Sequence, residues 1–471
     1  MLRANRDLIH KYMTGDLDKT REAVPIPEKA HGKPALAQDQ QSIVKDLTNM
    51  TKSIMEAKQK RETAWCEQGA INEEPNPYAG TNERTMRQAY AVLGPAGSGK
   101  TTAVQAAIDA AELLGARILI TAPTGRQSTT LKAKYPHLDV DTVHGAFLLY
   151  KEEHERQEVM WPYDLVIVEE VGQLTASTFD KIMALWDYAE RLVCLVFVGD
   201  FHQLPCPTNE ERCARYSPQW HSHMLMKRHL NVMHRCKDQV LGKKLELLRT
   251  ATPTKMQLCE ILRNHRAVHR WFDLWEEPNH RDIQGILKNT PETLFLTVSR
   301  KGCSHINNLA VEVLFWDHAI LACLPSDPES NRANYVGSRM VTHEPLHINI
   351  YAGMKVILTK NINKAIGFVN GMGAEVQYVE RDLVYIKTDQ GTIIPLHPWQ
   401  SPERHVYYPF RLGYATTLHK IQGATLKHIT LWLDVPNMKA AAYVALSRVE
   451  YDRNWQILGK VTKFHFTPAE G

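Results

Sequence analysis

From residue 89 onward the chain sets short apolar runs between amphipathic stretches. AYAVL (89–93), RILITA (117–122), DLVIVEE (164–170) and CLVFVGD (194–200) end at or next to Gly, Thr, Asp or Glu. Runs apolar throughout, separated by helical patterns, predict a mainly parallel sheet buried on both faces. LFLTV (294–298), KVILT (355–359) and HITLWLD (428–434) predict a second set of the same kind. GAEVQYVERDLVYIKTDQGTIIPL (373–396) instead alternates with period two around a DQG turn. That predicts a small antiparallel barrel inserted into the second α/β unit. Residues 1–90 are polar and mostly helical in pattern, broken by the loop EEPNPYAGTNE (73–83). The run KEEHERQE (151–158) reads as a solvated helix.

Composition narrows this picture little. At 471 residues the chain has room for two or three domains;. Hydrophobic content of 44%, charged content of 23% and a net charge of +4 are ordinary for a globular protein;. A basic track for nucleic acid must therefore be local. No apolar run has the length of a membrane helix, so no membrane partner is expected. The N-terminus carries acids among its basic residues, unlike a signal or transit peptide. Eight scattered Cys without a CxxC pair favour free thiols;. The expected location is intracellular: nucleus or mitochondrion in a eukaryote, cytoplasm in a bacterium.

The chemistry is concentrated at three strand ends. After AYAVL comes GPAGSGKT, Gly94 to Thr101, which fits G-x-x-x-x-G-K-[ST] and opens the helical AVQAAIDAAELL. In that context, glycines let backbone N–H groups close round phosphates at a helix N-terminus. Gly94, Pro95, Ala96, Gly97, Ser98, Gly99, Lys100, Thr101 and Thr102 are thus candidates for binding a nucleoside triphosphate. Lys100 would reach the β- and γ-phosphates, and the Thr101 hydroxyl would hold Mg²⁺. Beside them LVIVEEVGQL offers Glu169 to the Mg²⁺ shell and Glu170 to orient or deprotonate the attacking water. In VFVGDFHQLPC (196–206), Gln203 sits where a polar side chain can sense the γ-phosphate.

Taken in order over residues 36–460, these motifs resemble the superfamily-1B DNA helicases, the RecD-like group that includes the PIF-one family. LAQDQ (36–40) resembles the glutamine motif, in which Gln40 would read adenine. TAPTGRQS (121–128) and TVHGAF (142–147) resemble two strand-contacting segments, and GDFHQLP resembles G-D-x-x-Q-L-P. LNVMHRCKDQVLGKKLELLR (230–249) resembles the segment that supplies an arginine finger, here Arg235. YAGMKVILTKNINKAIGFVNGMGAEV (351–376) is similar to the family's entry into an SH3-like barrel. TLHKIQGAT (417–425) resembles T-x-H-K-S-Q-G-x-T, and YVALSRV (443–449) the last motif, with Arg448 on the γ-phosphate.

The resemblance implies an α/β fold: two RecA-like P-loop domains with parallel sheets, a small wedge insertion and an SH3-like β-barrel insertion. Its boundaries would be an extension over 1–35, a first domain over 36–228 with the wedge at about 148–162, and a second domain over 229–366 and 406–471. The barrel would occupy 367–405. The activity implied is ATP-dependent translocation on single-stranded DNA, 5′-to-3′, coupled to unwinding in replication, repair, recombination or transposition. Catalysis would fall to Lys100, Glu170, Gln203, Arg235 and Arg448. Thr124, His144, Phe147, Thr417 and His419 would hold the strand, with Phe147 either stacking on a base or serving the core. Implied partners are single-stranded DNA and DNA junctions, and a place in a larger replication or transposition polypeptide is left open.

Several positions depart from the family pattern. Glu169 stands for Asp, Cys206 for Pro and Ile421 for Ser, and the PIF-one signature insert is missing. The change at the metal position predicts slower hydrolysis, because Mg²⁺ demands tight octahedral geometry. The change to Ile421 removes a hydroxyl expected near the nucleotide or strand. Two other functions stay open: a nucleotide-binding scaffold that hydrolyses little, and an RNA-directed helicase of the same superfamily. A Cys/His-rich stretch (His202, Cys206, Cys213, His221, His223, His229, His234, Cys236) has none of the usual zinc-finger spacings;.

Overall fold

A computed structural model describes residues 36–67, 88–204, 212–268, 276–336, 339–360, 362–363, 368, 370–389, 391–402 and 404–469. The expected extension over 1–35, the loop at 73–83 and Cys206 lie outside these residues. From Gln38 on, the chain forms one unit. Among the described residues no helix is long and apolar enough to cross a membrane.

The first sheet holds β1 (Ala89–Leu93), β2 (Ile118–Ala122), β3 (Asp139–Thr142), β4 (Leu165–Val168), β5 (Cys194–Gly199) and β6 (Leu225–His229). Their order is β3-β2-β4-β5-β1-β6, and every pairing is parallel. All residues of β1, β2, β4 and β5 are buried, as strands covered on both faces require;. Helix α1 (Gln38–Glu67) and helix α2 (Lys100–Leu113) share one face of this sheet: Ile43, Leu47 and Ile54 join Val104, Ala107, Ile108 and Ala111 in one apolar cluster. On the other face lie Phe179, Ile182 and Trp186 of helix α4 (Ala176–Tyr188); helix α3 (Gly125–Lys134) separates β2 from β3.

The second parallel sheet is smaller. It begins with β7 (Leu294–Thr297). Five antiparallel strands follow: β8 (Lys355–Leu358), β9 (Gly373–Glu380), β10 (Leu383–Thr388), β11 (Ile393–Leu396) and β12 (Phe410–Leu412). Then the chain returns with β13 (Ala415–Thr417), β14 (Ile429–Trp432) and β15 (Trp455–Ile457). The parallel order is β13-β7-β14-β15, and the antiparallel order is β11-β10-β9-β8-β12. KVILT therefore belongs to the antiparallel sheet and not to the second parallel one: Val356 pairs antiparallel with both Ala374 and Leu412. An apolar run of four cannot tell these two settings apart. The antiparallel strands thus extend on both sides of 367–405.

Helix α5 (Gln239–Thr250), helix α6 (Arg300–Leu314) and the short helix α7 (Ala441–Leu446) pack round the second sheet. Every residue of α7 is buried, because α5 covers one side and the cleft to the first sheet lies on another.

Candidate active site

The P-loop leaves the carboxyl end of β1, and its shape follows from its glycines. Gly97 and Gly99 adopt φ of 76° and 80°, a left-handed backbone that other residues rarely hold;. Neither has room for a side chain: a Cβ at Gly97 would strike the Cβ of Arg235, and one at Gly99 the amide of Gln40. Lys100 Nζ donates to the carbonyls of Gly94 and Pro95 at 2.8 and 2.9 Å, so the lysine lies back over its own loop. Burial pushes its amine down, against Asp200, Glu170 and Glu169, whose charges push it up. Ser98 Oγ is buried within the loop with no hydrogen-bond partner, while Thr101 and Thr102 are exposed on the first turn of α2.

Glu169 and Glu170 follow β4. The Glu169 amide donates to the Thr121 carbonyl at 2.9 Å, which fixes it beside β2. Burial first, and then the charge of Glu170, push its carboxyl up to about 7. Glu170 itself sits at φ 53°, ψ 48°, a left-handed conformation that costs a non-glycine residue about 1–2 kcal/mol;. Strain of this kind persists where the surroundings hold a residue for use. An anion cradle with an unsatisfied hydroxyl, a lysine and two adjoining carboxylates fits the phosphates of ATP with Mg²⁺. Thr101 and Glu169 are the residues that would hold the ion.

Facing this corner, two arginines come from the second sheet's side. The Arg235 amide donates to the Gly97 carbonyl and its Nη1 to the Ser447 carbonyl, both at 3.1 Å. Arg448 is 1% exposed; its Nη2 donates to Gln203 Oε1 at 3.0 Å and to Ser447 Oγ at 2.9 Å. Burial, then the neighbouring Arg235, push its guanidinium down to about 10. Gly423 lies close to the Glu170 carboxylate: a side chain there would meet Glu170 and Gln127 at 3.8 and 3.9 Å. Gln40, distant in sequence, is brought to the loop, its Nε2 donating to the Gly99 carbonyl at 3.3 Å.

The strand-contact candidates separate. Thr124 caps α3 and is exposed, His144 is exposed just past β3, Thr417 ends β13 and is buried, and His419 follows it, half-buried. All four therefore sit at carboxyl ends of parallel strands, where open α/β sheets bind ligands. Phe147 does not join them. It is 0% exposed and packs in the core with Val143, Met160 and Phe179, so it offers no face to a base. Ile421 is likewise apolar among apolar neighbours, 1% exposed beside Leu418 and Leu433. In the Cys/His-rich stretch, His221 bonds the Arg215 carbonyl and Cys236 the Asp238 carbonyl. Among the described residues no metal-binding group of three or more His, Cys, Asp or Glu forms.

Two site residues carried no assigned role in the sequence. Asp200, at the end of β5, and Tyr443, on α7, meet across the cleft at 2.9 Å. The charge closing CLVFVGD was a signal for the first; the second opens YVALSRV, in which only Arg448 had been given a role.

Comparison with known proteins agrees with this arrangement. An AAA domain model matches residues 82–271. The chain is 22% identical over 324 residues to the ATP-dependent DNA helicase PIF1 of Mus musculus, covering 62% of this chain and 45% of that one. It is also 22% identical over 330 residues to Pif1 of Campylobacter jejuni, covering 62% and 68%. The chain thus spans about half the length of the mouse relative. Among solved structures, a forked-DNA Pif1 helicase structure superposes with a TM-score of 0.61 at 18% identity, covering 93% of this chain and 95% of that one. Pif1 from Bacteroides, in complex with ADP-AlF3 and ssDNA, gives 0.60 at 19% identity, covering 83% and 94%. At these identities the likeness is one of fold.

Proposed function

We propose that this chain, similar to Pif1 helicases in fold and in its spaced motifs, is an ATP-dependent DNA helicase. The observation that carries this is the Arg448–Gln203 bond across the cleft at 3.0 Å, which sets the arginine pair opposite the P-loop and its carboxylates. The P-loop amides would bind the phosphates, and Lys100 would leave the Gly94 and Pro95 carbonyls for the β- and γ-oxygens. Mg²⁺, when held by Thr101 and Glu169, supplies charge neutralisation between the phosphates. Glu170 would orient the attacking water and accept its proton. Arg235 and Arg448 would stabilise charge on the γ-phosphoryl group in the transition state.

Motion follows from where these groups reside. The arginines belong to the same side of the cleft as Thr417 and His419, and the P-loop to the same side as Thr124 and His144. If both sides hold one strand, closing on ATP and opening after hydrolysis shift one grip relative to the other. We assign single-stranded DNA as the track, 5′-to-3′ as the direction and a junction as the place where the duplex parts. A near-neutral chain with its contacts at sheet edges suits a narrow groove.

The test is ATP hydrolysis by the purified chain with Mg²⁺, with and without single-stranded DNA or RNA, beside Lys100→Ala and Glu169→Asp. Strong stimulation by DNA and no turnover in Lys100→Ala are expected. Equal stimulation by RNA would remove the DNA specificity. Turnover only in Glu169→Asp would mark a scaffold whose chemistry is switched off at the metal position.

A further inference from the structure

Tyr443 links three elements that no local motif connects. It is 1% exposed, on α7 beside the arginine pair. Its hydroxyl donates to Asp200 Oδ2 at 2.9 Å and accepts from the Ala96 amide at 3.3 Å. Ala96 belongs to the P-loop, and Asp200 directly follows β5; Tyr443 comes from the other side of the cleft. Asp200 is itself 3% exposed and accepts from the His202 amide at 3.1 Å. It also faces Arg249 Nη2, on α5, at 3.7 Å. One buried hydroxyl therefore satisfies a P-loop N–H and a buried carboxylate together.

We propose that Tyr443 is a positioning residue whose hydroxyl latches the P-loop to Asp200 when the cleft closes, so that closure itself completes the phosphate cradle. The alternative partner for either group is water, which an open cleft admits and a closed one excludes. A buried donor and acceptor left unmatched are penalised by more than the bond is worth in water. The closed state thus depends on the hydroxyl, whereas the open state does not. Tyr443→Phe keeps the ring in its apolar surroundings and deletes only the latch. Arg235 and Arg448 have nothing to reach in ADP, so the closed state is the one that a γ-phosphate selects. The latch should therefore be felt by ATP and not by ADP.

This inference rests on the nucleotide site proposed above. The experiment measures binding of ADP and of a non-hydrolysable ATP analogue with an imido-bridged γ-phosphate, each with Mg²⁺, to the full chain and to Tyr443→Phe. Steady-state hydrolysis is read in parallel. The expected result is an affinity for the ATP analogue lowered about tenfold, the effect of one buried hydrogen bond. ADP affinity should stay within about twofold, and kcat should fall. Asp200→Ala should lower analogue affinity similarly, and the double variant should add little to either single change, as partners in one contact do. Equal weakening of both nucleotides would mean that Tyr443 only supports the fold, and unchanged affinities would mean that the latch is not used; either overturns the inference. If the parent chain binds neither nucleotide, it is the site reading that fails.

Discussion

The Arg448 guanidinium and the Gln203 amide, both buried, meet across the cleft at 3.0 Å. One residue lies just past the end of α7 and the other follows β5, so the contact joins the sides of the two parallel sheets beside the P-loop. An arginine already held by three oxygen acceptors is fixed in direction before any phosphate arrives. Such preorganisation is what transition-state stabilisation needs.

Arg448→Ala should therefore bind ATP nearly as the parent does, yet lose hydrolysis by about a thousandfold, the lower range for an arginine finger. Single-turnover hydrolysis beside equilibrium nucleotide binding checks this. A variant that hydrolyses at the parental rate would show that the arginine plays no part in the chemistry.

Glu170, proposed above to orient the attacking water, has a left-handed backbone. Glu170→Gln should abolish turnover and keep the strain. Glu170→Gly should also abolish turnover while relieving strain of about 1 kcal/mol, so it should melt at or above the temperature of the Gln variant. Calorimetry of the pair decides the matter; a less stable Gly variant would mean that the side chain's contacts outweigh the backbone cost.

Phe147 and His144 lie three residues apart and make opposite predictions. Phe147→Ala empties a fully buried site and should destabilise by about 3–5 kcal/mol;. His144→Ala changes an exposed side chain and should alter stability by no more than about 0.5 kcal/mol. Only the second should weaken single-stranded DNA binding while leaving the fold intact. Urea unfolding and fluorescence anisotropy separate the two effects, and DNA affinity unchanged in His144→Ala would remove it from the strand path.

Behind the arginine pair, Asp452 accepts from Lys244 Nζ at 2.9 and 2.8 Å, from Trp455 Nε1 at 3.0 Å, and pairs with His265 at 3.1 Å. Burial alone would push its carboxyl up, but bonds from His265, Lys244 and Trp455 hold it well below the usual carboxylate range. A folded value below the unfolded one means that its stabilisation is complete above about pH 4 and fades as pH falls further. Asp452→Asn should be less stable by about 3–5 kcal/mol at neutral pH, since Lys244 is left buried without its counter-charge. The gap should narrow below about pH 4. A gap independent of pH would mean that packing, and not charge, sets the loss.

Much of this site is readable without coordinates. G-x-x-x-x-G-K-T after an apolar run fixes a phosphate loop because few sequences can place amides and a lysine round an anion. Two carboxylates at the end of a neighbouring run share the same logic. The likeness of spaced motifs carries Gln40, Arg235 and Arg448 as well, and the structure brings all three to the P-loop. The apolar runs also fix the first sheet's central strands, because strands buried on both faces need apolar residues throughout.

What the pattern leaves open is which partner each run will find. KVILT reads alike in a parallel or an antiparallel sheet, and its pairing with Ala374 and Leu412 is settled by chain segments on either side of it. Phe147 reads alike as a stacking platform or a core residue, and burial against Met160 and Phe179 decides it. β13 and β15, each three residues, are too short to show a period. The Tyr443–Asp200 contact spans 243 positions and depends on two sheets closing over one loop. The sequence by itself determines chemistry that needs neighbouring residues in a set order. Contacts between distant segments follow from packing, where a hydroxyl and a carboxylate meet because water has been excluded from both.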